Sequence, residues 1–247
     1  MSESNTPNSP GPGLDEAFVA LAKYDTGSSR AGLVPIDDAV RASLKDLTRQ
    51  ATLEQRLLAQ LARPASSEAG TYICDKLRLV GSAAAVPALA ALLTDAALGD
   101  PARETLETLT SPAAGNALRR ALPQLRSAAR IGAVHALGHR GDPENADALA
   151  PLSTDSDPAL AAAAIAALGN LGTLLAAKTL SRLLPNPPTE LRLPIAHACL
   201  DCASALLKEG NKAEAAALYR ELASKGWPEL IVQAARHALQ KVETHSG

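Results

Sequence analysis

Residues 135–173 read HALGHRGDPENADALAPLSTDSDPALAAAAIAALGNLGT, and within them the chain copies itself. Leu137-Gly138 is followed by Gly141-Asp142-Pro143, and one period later Leu168-Gly169 is followed by Gly172-Thr173. Worked outward, the same register gives Leu77, Leu106, Leu137 and Leu168, at spacings of 29, 31 and 31 residues. A turn residue stands four positions after each: Gly81, Thr110, Gly141 and Gly172. Eight positions further stands a second leucine: Leu89, Leu118, Leu149 and Leu180. A fixed period of about 30 residues is the signature of a stacked-repeat array, in which each unit contacts mainly its neighbours.

Composition says what fills such an array. Hydrophobic residues make up 47% of the 247 residues and aromatics only 2%. The core is therefore built from Ala and Leu, which head the helix-propensity ranking, and sparse β-branched residues argue against sheets. Net charge is −2, which gives no global drive toward nucleic acid or anionic membrane. No apolar run reaches the roughly 18 residues that span a bilayer. The opening MSESNTPNSPGPG has neither a basic nor an apolar region of a secretory signal. Three cysteines, Cys74, Cys199 and Cys202, do not suggest a disulfide framework. Together these features predict a cytoplasmic protein.

Along the chain, residues 1–13 are Ser, Asn, Pro and Gly-rich and read as a disordered tail. The rest, 14–247, reads as a single α-solenoid. Residues 14–80 form N-terminal capping helices, with Val40, Leu44 and Leu47 as one apolar stripe and a further helix from Thr52 to Arg63. Residues 81–184 hold the regular units, each a helix, a short turn, a helix and an Asp- or Pro-containing link. Four prolines within 185–194 break the rhythm. Residues 189–243 form a closing hairpin and a last helix. The glycines are expected at helix ends, where left-handed freedom explains them.

The quoted stretch resembles HEAT repeats of the short bacterial type, in which Ala-Leu-Gly, a Gly-Asp/Thr-Pro turn, a Leu pair and an Asp-Pro link recur. Leu137 to Pro143, Leu168 to Thr173 and Asp155 to Pro158 carry the likeness, while Leu106–Thr110–Pro112 lacks the glycines. The match is strong over 75–184, and the flanks look like divergent terminal repeats. The pair containing Ala205 to Gly210, Ala213, Ala216 and Tyr219 also looks like one tetratricopeptide-type hairpin. The resemblance implies an all-α, armadillo-type α-solenoid, a right-handed superhelix of helical hairpins, with a binding role; no cofactor is expected. It also implies that the second helix of each unit lines the concave face. Arg119, Arg120, Asn145, Lys178 and Arg182 are then the candidate contacts for a protein or peptide partner.

Specific residues bear on other chemistries. Cys199-x-x-Cys202 lies inside a helix and lacks further zinc ligands, so it reads as buried small hydrophobes. His135 and His139 share a helix face at the spacing of a metal pair, with no acid between them. Deoxyhypusine hydroxylase, a HEAT-repeat metalloenzyme, uses His-Glu dipeptides, and this chain has none. Phycobilin lyases use similar repeats, so a bilin-lyase-like role in handling a cofactor is the alternative of another class. With five aromatics in all, pocket material for a tetrapyrrole is scarce. HEAT-type nucleic-acid binders use a basic groove, for which Arg119, Arg120, Arg126, Arg130 and Arg140 are the best cluster. No phosphate loop, nucleophile elbow or paired-carboxylate motif occurs. The expected function is a non-catalytic scaffold, without metal and without membrane attachment.

Overall fold

A computed structural model describes residues 13–224 and 226–244. The proposed tail therefore lies outside the described residues except for Gly13, which stands at the start of the first helix. Among the described residues there are fourteen α-helices and no strand. The chain divides into two compact units, Met1–Gln124 and Leu125–Gly247.

The first unit contains α1 (Leu14–Leu21), α2 (Val34–Ser43), α3 (Leu47–Leu61), α4 (Ser67–Val80), α5 (Val86–Leu92), α6 (Gly99–Thr108) and α7 (Pro112–Ala121). Helix α4 packs on α3 and α6, and α5 packs on α6 and α7. The first helices of successive repeats thus form one layer and the second helices another. The second unit repeats the arrangement. It contains α8 (Ser127–Arg140), α9 (Asn145–Leu149), α10 (Pro158–Leu171), α11 (Leu174–Leu183), α12 (Arg192–Lys208), α13 (Lys212–Ala223) and α14 (Glu229–Thr244). Helix α10 lies between α8 and α12 in the first layer, and α11 packs on α9 and α13 in the second.

All eight repeat leucines are fully buried: Leu77, Leu89, Leu106, Leu118, Leu137, Leu149, Leu168 and Leu180 each have 0% exposure. Each sits at the same depth in its own unit, which is why the period is visible in the sequence. The links are capped by the expected side chains. Asp157 accepts from the Ala159 N–H at 2.9 Å and Thr173 from the Ala176 N–H at 3.1 Å.

Two glycines set the spacing within the first layer of unit 2, and their role differs from the expected one. Gly138 and Gly169 lie in the last turns of α8 and α10, but neither has the left-handed backbone expected of them. A Cβ on Gly138 would stand 2.7 Å from the Ala167 Cβ, and one on Gly169 would stand 2.7 Å from the Ala198 Cα. Glycine is present because the helix backbones nearly touch there. The left-handed conformation belongs instead to the neighbouring turn positions, Gly141 at φ 69° and Gly172 at φ 58°.

The N-terminal cap departs from the expected stripe. Val40 is buried, but Leu44 is 50% exposed and Leu47 83% exposed. Helix α2 stops at Ser43, and Asp46 caps a new helix by accepting from the N–H groups of Thr48 and Arg49, both at 3.0 Å. Helix α3 therefore starts one turn before the expected Thr52, and Leu47 becomes its first, outward-facing residue.

Candidate partner-binding grooves

The second-helix layer of each unit carries a groove. In unit 1 a cavity of about 530 Å³ lies between α5 and α7, with Pro87, Ala90 and Ala91 on one wall and Ala113, Ala117 and Arg120 on the other. In unit 2 a cavity of about 370 Å³ lies between the α9 segment and α11, walled by Asp147, Pro151 and Thr154 and by Leu175, Thr179 and Arg182. The wall residues of α7 and α11 recur every three or four positions, so they share one helix face. The adjacent face carries Leu118 or Leu180 into the core. Small side chains on the walls leave the grooves open.

Pro151 shapes the second groove. It has no N–H to donate, and its ring crowds the carbonyl one turn back. Helix α9 accordingly ends at Leu149 and the chain continues as a 3₁₀ turn over Ala150–Thr154.

The five expected contact residues separate into three kinds. Arg120 and Arg182 both line grooves and are exposed. They stand 62 residues apart, twice the 31-residue period, and so occupy equivalent places in their repeats. Neither forms an ion pair among the described residues. Arg119 and Lys178 are on the same two helices but line neither groove, and Arg119 donates to the Asn116 side-chain oxygen. Asn145 must be withdrawn as a contact. It is fully buried, and its side-chain amide donates to the Leu137 carbonyl at 2.7 Å. It fastens the end of α8 to the start of α9.

Members of the wider basic cluster are engaged by carboxylates of unit 2. Arg119 and Arg120 belong to unit 1, and Arg126, Arg130 and Arg140 to unit 2. Arg140 pairs with Asp142 at 2.8 Å, and Arg130 lies 3.8 Å from Asp155. Tyr72 and Tyr219 are buried, and no aromatic residue lines either groove.

Burial governs the thiols. Cys74, Cys199 and Cys202 are buried and unbridged. Desolvation pushes the Cys74 thiol up to about 11 and that of Cys202 to about 12, and it raises Cys199 further. His135 and His139 are exposed on α8 with ring centroids 6.4 Å apart. Among the described residues no three metal-ligating side chains come together. Nor is any described helix long and apolar enough to cross a membrane.

Residues 122–199 match the family model for HEAT repeats. This segment of the chain is made of HEAT repeats. The matched HEAT segment begins in the last residues of unit 1 and runs through α8 to α11 into α12. Solved structures similar to the chain include the complex of CpcE and CpcF of phycocyanin lyase from Nostoc sp., at 17% identity, with 98% of this chain and 99% of that chain covered and a TM-score of 0.45. Human deoxyhypusine hydroxylase in complex with glycerol is similar at 16% identity, with 94% and 96% covered and a TM-score of 0.38. An engineered protein is similar at 16% identity, with 93% and 96% covered and a TM-score of 0.31. Comparison with curated proteins gave no match.

Proposed function

We propose that this protein is a non-catalytic scaffold that holds a protein or peptide partner in the grooves of its second-helix layer. The observation that carries the reading is the placement of Arg120 and Arg182. Both project from equivalent repeat positions, both wall a groove, and both keep their charge unpaired among the described residues. An arginine fixed in the core of a repeat would be tied to a carboxylate, as Arg140 is tied to Asp142. An exposed, unpaired arginine beside small apolar walls suits an acidic side chain flanked by apolar ones, since Arg binds carboxylates through two parallel hydrogen bonds. The reading makes each groove a separate point of attachment for the partner chain.

The test is site-specific photo-crosslinking. A crosslinker at Ala117 or at Thr179 is expected to capture a discrete polypeptide from host lysate, whereas one at Asp75, on the first-helix layer, is not. Arg120→Glu with Arg182→Glu is expected to reduce that capture, and Arg119→Glu to leave it intact. Equal capture from both layers, or capture indifferent to the double charge reversal, overturns the proposal.

A further inference from the structure

A separate cleft of about 350 Å³ lies in unit 1, where the first half of α3 meets the turns after α4 and α6. It shares no residue with the groove of Arg120. Leu47, Val80 and Leu109 supply apolar wall, and Gln50 and Thr110 supply side-chain oxygens. Glu54 also lines the cleft, yet the residue is only 4% exposed.

The surroundings of Glu54 are unusual for a buried acid. Its Oε1 accepts from the Ser82 N–H at 2.7 Å, and the Ser82 hydroxyl lies 2.9 Å from Oε2. Those two protons satisfy about half of the four acceptor sites of a carboxylate. Among the described residues no cation pairs with Glu54. Arg49, on the same helix, is engaged with Asp46 at 3.1 Å, and no basic residue lines the cleft. A buried charge without a counter-charge is costly. Anchoring Ser82 needs only an oxygen acceptor, which glutamine would supply without that cost. The negative charge is therefore surplus to the structural bond and faces a cavity with room for a side chain.

We propose that this cleft binds a lysine side chain of a partner polypeptide, its ammonium on Glu54 and its aliphatic stem along Leu47, Val80 and Leu109. Arginine fits less well. Ser82 already occupies one acceptor position on each oxygen of Glu54, so the paired face that a guanidinium fork requires is partly taken. A compact ammonium with three donors can share Glu54 with the oxygens of Gln50 and Thr110. Leu47, exposed at the mouth as the first residue of α3, gives the methylene stem an apolar contact.

The probe is Nα-acetyl-lysine methylamide, titrated into the full chain while the Ser82 amide resonance is followed. The control is the same molecule acetylated on Nε, which keeps the stem and loses the charge. A saturable shift at Ser82 with the first probe and at least about tenfold weaker binding of the second is the expected result. Glu54→Gln, which retains an oxygen for Ser82, should lose the discrimination between the two. No saturable shift at Ser82, or equal binding of both probes, overturns the proposal. So does discrimination that survives in a folded Glu54→Gln variant. If that variant does not fold, the paired probes on the unaltered chain still decide the matter.

Discussion

Buried residues of this protein fall into those that fill and those that fasten. Leu149 fills: it has 0% exposure and sits at the repeat position shared with Leu89, Leu118 and Leu180. Leu149→Ala leaves a cavity and should cost about 2–5 kcal/mol, read from urea unfolding. An unchanged midpoint would remove Leu149 from the inter-helix core. Asn145 fastens. Asn145→Ala leaves the Leu137 carbonyl short of a donor and should cost about 1–3 kcal/mol, again by urea unfolding, while leaving groove crosslinking untouched. The two substitutions show where the sequence was readable. Periodicity exposes the leucines because every repeat needs the same volume at the same place. It says nothing of Asn145, since polarity alone does not distinguish an amide that meets a partner from one that ties two helices together.

Elements were readable to the extent that their ends are written in local chemistry. The Asp-Pro link and the turns at Gly141 and Gly172 stand where their residue types predict. The stripe of Val40, Leu44 and Leu47 failed because helical spacing continues across a boundary that Asp46 imposes by hydrogen bonding. Gly138 and Gly169 stand near helix ends as expected, but the reason for glycine there is a neighbouring helix that no local pattern displays. Close contact between helices yields a prediction at this scale. Gly169→Val forces α10 away from α12 at Ala198 and should cost about 1–3 kcal/mol or more. Gly141→Ala meets no neighbour within 4 Å and strains only the turn. A larger loss for Gly141→Ala than for Gly169→Val, compared by thermal melting, would refute the close-approach account.

At the scale of the whole molecule, the grooves were half legible. The resemblance to HEAT repeats pointed to the second helices, and of its candidates Arg120 and Arg182 line the grooves there. The depth of Glu54 was invisible, because it arises from a turn 28 residues away in the chain. The thiols give a prediction that belongs to the entire fold. Burial raises all three above the unfolded value of about 8.5, so the native state holds protons that the unfolded chain releases in base. Their contribution to stability is fully present below about pH 8.5 and is lost as pH climbs from there through the native values. The urea midpoint should therefore fall between about pH 8 and pH 10, and fall less in a triple Cys→Ala variant compared with its own value at pH 7. Parallel pH slopes for the two proteins would contradict the burial account.

The glycine contacts in the first layer have a consequence for how such a chain can grow. Helix α10 offers Ala167 to the glycine before it and Gly169 to the alanine after it. It is thus a donor of the same joint that it accepts. A duplicate of residues 142–172 spliced in after Gly172 would present Ala167 to the first copy's Gly169, and its own Gly169 to Ala198. Both seams would reproduce a contact that already exists, and the splice would keep the Gly-Asp-Pro turn intact. Lengthening by a full cassette is then conservative in geometry, whereas inserting a few residues into α10 would put the glycine and the alanine out of phase on both sides at once.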